Sequence, residues 1–218
     1  MAAFKLTGHG DDQRPHLRDV KALLADPRFL FLLPVAGLHW AAMVPYHGFF
    51  GILLHDRGFP AKITSYSFFV GVAAEIVVFL IFARLRRRFG LARLLSLSFA
   101  VSALRWWLVA FLHSAGAMVA VQLAHAFSFG IYWAAAMAWI ADCVPTTLRA
   151  TGQVLFTTAT GLSSMVGYLL VGRLYDLSGG AGLPFAAAGA LEMVPLTMVL
   201  FAQRRMAAWK HATSTTAD

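Results

Sequence analysis

Six runs of about twenty apolar residues, separated by short charged patches, organise this 218-residue sequence. A run of that length is what an α-helix needs to cross a hydrocarbon core about 30 Å thick. The runs cover roughly residues 29–54, 63–83, 94–112, 117–141, 153–172 and 183–202. The sequence predicts an all-α membrane protein, a six-transmembrane-helix bundle. It has an N-terminal segment at 1–27, a membrane domain at 28–203 and a tail at 204–218. The loops are short, so consecutive helices are expected to be antiparallel neighbours.

Composition agrees. Hydrophobic residues make up 59% of the chain and charged residues 13%, against about 25% charged in soluble domains. The net charge is +8, but the basic residues fall between the apolar runs. Once the spans are removed no basic surface remains for nucleic acid, which is excluded as a partner. Fourteen Lys and Arg lie on one side of the predicted membrane, against Arg57, Lys62 and Arg173 on the other. By the positive-inside rule both termini are expected to be cytoplasmic, in a multi-pass protein of the cell (inner) membrane. Residues 1–27 lack the apolar stretch of a secretory signal, so the first span is expected to act as its own targeting signal. Within them, 17–24 alternates apolar and charged positions at helical spacing, which fits either a short surface helix or an unstructured linker. Residues 211–218 read as a disordered tail. Cys143 is the single cysteine, which excludes an intrachain disulfide and reads as a small apolar residue.

Small residues recur at four-residue steps in two spans: Ala126, Gly130, Ala134 and Ala138, and Ala159, Ser163 and Gly167. Such stripes let helix backbones approach closely in lipid. Pro45 removes a backbone hydrogen bond and is expected to kink the first span.

Three formally charged residues fall inside spans: Glu75, Arg105 and Glu192. A charge at the centre of a transmembrane helix costs about 2.5–3.5 kcal/mol even on lenient scales, so such groups pair or face a wet cavity. At 1.5 Å per residue, Glu75 lies about 3 Å to the cytoplasmic side of its span centre. Arg105 lies about 3 Å and His125 about 6 Å outward of theirs. The three therefore form one layer on consecutive helices, with Glu75 and Arg105 close enough in depth to pair. Gln122, His125, Phe129 and Tyr132 share a helix face that suits a small organic molecule with a ring and a polar group. Glu192, in the last span, reads either as satisfied by a neighbouring helix or as a protonated acid in lipid. The layer is either a substrate or proton site or a buried ion pair that fixes helix register.

No hydrolase or nucleotide-binding motif occurs, and the eight histidines have no metal-ligand spacing. An enzyme, a cofactor and a metal site are not expected.

Several stretches resemble the C-terminal six-helix half of a major facilitator superfamily transporter, across about residues 15–206. They are His47-Gly-Phe-Phe-Gly-Ile-Leu-Leu-His-Asp-Arg-Gly-Phe, Gly71-Val-Ala-Ala-Glu-Ile-Val-Val-Phe and the basic turn Arg84-Leu-Arg-Arg-Arg-Phe-Gly. With Leu104-Arg-Trp and Ala150-Thr-Gly-Gln, the chain is similar to the phenylpropionate permease branch, near lactose permease and the nucleoside symporters. The resemblance implies half of a major facilitator fold, built as two three-helix repeats. It also implies proton-linked uptake of an aromatic acid, sugar or nucleoside by a symporter. Glu75, Arg105 and His125 match, by order, a Glu in sugar binding and an Arg and His in proton coupling in lactose permease. The likeness departs at Ser128, where that permease has a proton-carrying Glu. It also departs in length: such transporters have about twelve helices, so transport is expected only with an N-terminal six-helix half or a second copy of this chain. The alternative is a non-transporting membrane subunit or truncated relic whose buried charges are only structural.

Overall fold

The structure, a computed structural model, describes the backbone of residues 17–215 and the side chains of 20–204. Six helices in it are long and apolar enough to cross a membrane: Pro27–Asp56, Ala61–Phe89, Leu91–Phe111, Ala115–Cys143, Thr146–Ser178 and Gly182–Arg204. They coincide with the six apolar runs and are referred to as the first to sixth spans.

Local chemistry sets where the spans begin and end. Asp26 caps the first: its Oδ1 accepts from the backbone N–H of Arg28 at 2.8 Å and of Phe29 at 3.4 Å. Pro27 occupies the first helical position, where its missing N–H costs nothing. The second span closes on Arg86, Arg87 and Arg88 in its last turn, where cations complement the helix dipole. Gly90 turns the chain back with a φ of 75°, a left-handed value that other residues avoid. At the opposite end of the bundle, Arg57 donates to the carbonyls of Val109, Ala110 and Leu112. It thereby satisfies the last acceptors of the third span, which have no partner within their own helix.

The segment ahead of the first span, Leu17–Ala25, is helical. Its Leu23 is buried in the same apolar cluster as Phe29 and Leu32, so the segment packs on the bundle. The sixth helix runs on to Thr215. The disordered tail expected from residue 211 is instead helical through Thr215; residues 216–218 lie outside the described residues.

Consecutive helices touch, but the most extensive packing lies elsewhere. The third span packs most extensively on the sixth, the first on the fifth, and the second on the fourth. A short loop fixes only the ends of two helices, and side-chain fit decides the rest. The fifth-span stripe acts as expected: a Cβ on Gly167 would stand 3.1 Å from the Ala41 backbone of the first span.

Two π-helical turns interrupt the spans. One, Pro45–Phe49, is how the chain accommodates Pro45. The other, Ala126–Ile131, comes after a 3-10 turn at Val121–Ala124 in the fourth span. No proline announces it, and it breaks the small-residue stripe expected there. A π-turn takes an extra residue per turn and rotates the remainder of the helix about its axis. Ala126 and Gly130 are buried, but beyond the turn Ala135 and Ala136 are buried in place of Ala134 and Ala138.

The interior is layered. One apolar cluster gathers Phe29, Leu32, Phe99, Ile140, Phe156 and Val199. Another, towards the Arg57 end, gathers Met43, Phe50, Trp106, Val109, Met118 and Phe185. The buried polar residues His39, Arg105, Gln122, His125 and Glu192 lie between them along their spans, and buried Ser128 follows just inside the first cluster. The second and fifth spans keep most of their apolar side chains on the outside, among them Phe69, Leu80, Leu162 and Leu169. Faces of that extent call for lipid or another protein surface.

Candidate functional site

Arg105 is completely buried. Its Nη1 donates to Ser128 Oγ at 2.7 Å and to His125 Nδ1 at 3.1 Å, and its Nη2 donates to Gln122 Oε1. Gln122 is aimed by its own Nε2, which donates to the Met118 carbonyl at 2.9 Å. The guanidinium carbon lies 4.3 Å from the Tyr46 ring centroid and 4.4 Å from that of Trp106. Such cation–π contacts strengthen when desolvated. The charge is thus held by three neutral acceptors and two aromatic rings, and Arg105 Nε has no hydrogen-bond partner.

The expected Glu75–Arg105 ion pair is not formed. The His125 ring stands between them, with Nε2 3.6 Å from Glu75 Oε2. Because a guanidinium has only donors, His125 Nδ1 must accept, and the proton of the neutral ring sits on Nε2, facing the carboxylate. Glycines make the arrangement possible. A Cβ on Gly71 would lie 3.3 Å from His125 Cβ, and one on Gly130 3.3 Å from Glu75 Cγ. Glu75 remains partly accessible, with 15% of its side chain exposed.

An aromatic belt continues from His125. Phe129 stacks on His125 with centroids 5.4 Å apart, and Trp133 on Phe129 at 6.1 Å with the planes 2° from parallel. Trp40 meets Phe129 and Trp133 edge-on and stacks on His47. Trp40, Trp133, Thr157, Thr160, Gly161 and Ser164 line a pocket of about 200 Å³. First, second, fourth and fifth spans therefore bring polar and aromatic groups to one continuous surface.

Of the residues expected in the site, Glu75, Arg105, His125, Gln122 and Ser128 come together, and Phe129 joins through His125. Tyr132 does not share their face. Placed just past the π-turn, it points into the core, with its ring 4.0 Å from that of His39. Glu192 is neither lipid-exposed nor unpartnered. It is fully buried, with Oε1 2.8 Å and Oε2 3.0 Å from His39 Nδ1, and Trp106 Nε1 donates to it at 3.4 Å.

Ser128 joins the two groups. Its hydroxyl receives Arg105, and its backbone carbonyl receives His39 Nε2 at 2.9 Å. Where the lactose permease pattern has a carboxylate, this chain has a serine between two polar clusters. His39, Trp40, Tyr46 and Trp133 carry no signal in the sequence that marks them as site residues. His39 is uncharged in the formal count, and aromatic residues in a span look like ordinary core.

A family model described as "MFS_1 like family" matches residues 4–185. The chain belongs to that family. Over 138 residues, 63% of its length, this MFS_1-like chain is 27% identical to the "Probable 3-phenylpropionic acid transporter" of Escherichia coli (strain K12), covering 36% of that protein. Over 89 residues, 41% of its length, it is 33% identical to the "Maltose permease" of Geobacillus stearothermophilus, covering 23% of that protein. The matches thus span about a third and a quarter of these relatives. Both relatives are named as solute carriers and neither as an enzyme. With six apolar helices, this MFS_1-like chain is an integral, multi-pass membrane protein.

Proposed function

We propose that this chain is half of a secondary active transporter that takes up a small ring-bearing organic solute with protons by alternating access. The observation that carries the reading is the Glu75–His125–Arg105 series. It is accessible at Glu75, sealed at Arg105, and bordered along one side by the Trp40–Phe129–Trp133 belt. A group that only fixed helix register would gain nothing from a partly exposed carboxylate beside a neutral imidazole. A carboxylate that exchanges protons or hydrogen-bonds a solute needs that access.

The aromatic belt suits the flat face of a ring, whether of an aromatic acid, a sugar or a nucleoside. The relatives' named substrates, 3-phenylpropionic acid and maltose, are the first solutes to test. One face of the second and fifth spans and the belt forms one wall of a translocation path. The other wall comes from an N-terminal six-helix half or from a second copy of the chain. Both termini lie in the cytoplasm and the protein sits in the cell (inner) membrane, in keeping with the distribution of basic residues.

The test is uptake by cells or vesicles containing this chain with a six-helix N-terminal companion, with and without an imposed pH gradient. Gradient-driven uptake that disappears in Glu75→Gln and in His125→Ala supports the reading. Unchanged uptake in both variants rules out the proposed site. If the isolated chain is monomeric and no companion restores uptake, it is a non-transporting subunit.

A further inference from the structure

We propose that His39 and Glu192 together form a dedicated proton-binding site, buried where the first, third, fourth and sixth spans meet and separate from the Glu75–His125 surface. The argument is one of donors and acceptors. His39 Nε2 lies 2.9 Å from the Ser128 carbonyl oxygen, which only accepts, so Nε2 carries a hydrogen. The other ring nitrogen, Nδ1, lies 2.8 Å and 3.0 Å from the two Glu192 oxygens. With Nε2 protonated, a neutral ring presents a lone pair at Nδ1. A carboxylate presents only lone pairs. At 2.8 Å the two would repel, with a net negative charge sealed in a site that is fully buried on both sides.

The geometry is therefore satisfied only when one proton lies between Nδ1 and the carboxyl group. It is held either as imidazolium and carboxylate or as neutral imidazole and carboxylic acid. Both states are net neutral, and the pair binds or releases one proton as a unit. Trp106 Nε1 donates to Glu192 in either state.

None of the surrounding groups replaces that proton. From the fourth span, Tyr132 faces His39 at a ring distance of 4.0 Å, and its hydroxyl has no hydrogen-bond partner. From the third span come Trp106 and Phe99, neither ionisable, and the Arg105 charge, which reaches the pair through Ser128. In the first span, His47 lies beyond Trp40, on which it stacks. Arg105 is the permanent charge among these. A group that binds a proton at mid-membrane, linked through Ser128 to the arginine that also holds His125, is placed to carry the coupling ion. That role rests on the proposed transport reading; the existence of the site does not.

The test uses the whole chain in phospholipid vesicles without solute, so it is independent of transport. Infrared difference spectra across a pH titration, together with nitrogen-15 spectra of the histidine rings, read the site directly. The expected result has two parts. His39 keeps the Nε2 proton throughout, and its Nδ1 signal changes in one step. A carboxyl change appears at the same midpoint, is lost in Glu192→Gln and is retained in Glu75→Gln. The proposal is overturned if Nδ1 of the unsubstituted chain never changes across the titration, or if the carboxyl change persists in Glu192→Gln. Because the ring-nitrogen measurement needs no substitution, a variant that fails to fold does not protect the proposal. If the site titrates as described while solute uptake is absent, the transport reading fails and this one stands.

Discussion

The Glu75 carboxylate reaches His125 and goes no further, with Oε2 3.6 Å from Nε2. The neutral imidazole it faces turns its other nitrogen to Arg105. Protonation of Glu75 is therefore felt at Arg105 only through the ring, by a change in how firmly His125 Nδ1 accepts. In the assembled transporter Glu75→Gln keeps the shape and a hydrogen-bonding group but fixes the charge at zero. Uptake driven by a pH gradient is expected to fall at least about tenfold, equivalent to about 1.4 kcal/mol. Binding of a neutral solute changes less. Paired measurements of gradient-driven uptake and solute binding in vesicles check this.

Arg105 is expected to matter for stability as well as function. Replacing it with leucine strands Gln122 Oε1, Ser128 Oγ and His125 Nδ1 in a dry layer, and each buried polar group left unpaired costs about 1–3 kcal/mol. Arg105→Leu should therefore lower stability by about 3 kcal/mol or more in reversible unfolding from detergent. Arg105→Lys should recover only part of this. A lysine keeps the charge but cannot span three acceptors with a planar fork.

The spans were legible because their signal is summed over some twenty residues and does not depend on how helices pack. The layer of Glu75, Arg105 and His125 was legible for a similar reason, since depth is set by counting residues along a helix. What depth could not supply was azimuth. The π-turn at Ala126–Ile131 rotates everything beyond it, sending Tyr132 into the core and leaving Trp133 on the aromatic face. That same turn carries Ser128, the residue both polar clusters share. The Glu192 partner was legible in principle. His39 and Glu192 lie about 4 Å and about 1 Å from the centres of their apolar runs at 1.5 Å per residue. Matching all polar groups by depth, neutral histidines included, would have paired them.

Gly167 offers a test of packing free of the polar layer. A Cβ there would stand 2.9 Å from Val44 Cγ2 and 3.1 Å from both Cα and O of Ala41. Two of these atoms are backbone and cannot yield without moving the first span. Gly167→Ala is expected to cost about 1–3 kcal/mol, the usual penalty for overpacking. Gly172, in the same helix, has nothing within 4 Å of such a Cβ. Gly172→Ala should be neutral or stabilise by up to about 1 kcal/mol through helix propensity. Thermal unfolding of the two variants side by side separates helix propensity from interhelical contact.

Asp26 ties stability to pH at the entrance to the first span. Its carboxylate caps the helix through the backbone N–H of Arg28 and Phe29 and pairs with the Arg28 guanidinium at 2.9 Å. The side-chain hydrogen bond from Arg28 leads in holding its pKa below the ordinary carboxylate value. The folded state therefore binds this proton more weakly than the unfolded one. The stabilisation is fully present above the unfolded pKa of about 3.9 and is lost as pH falls through the lower, folded value. Asp26→Ala should lower stability by about 1 kcal/mol at neutral pH, the usual worth of an N-cap, and by progressively less in acid. Unfolding midpoints of the original and substituted chains that converge as the pH is lowered confirm the cap. A difference that stays constant with pH assigns the effect to something other than the Asp26 charge.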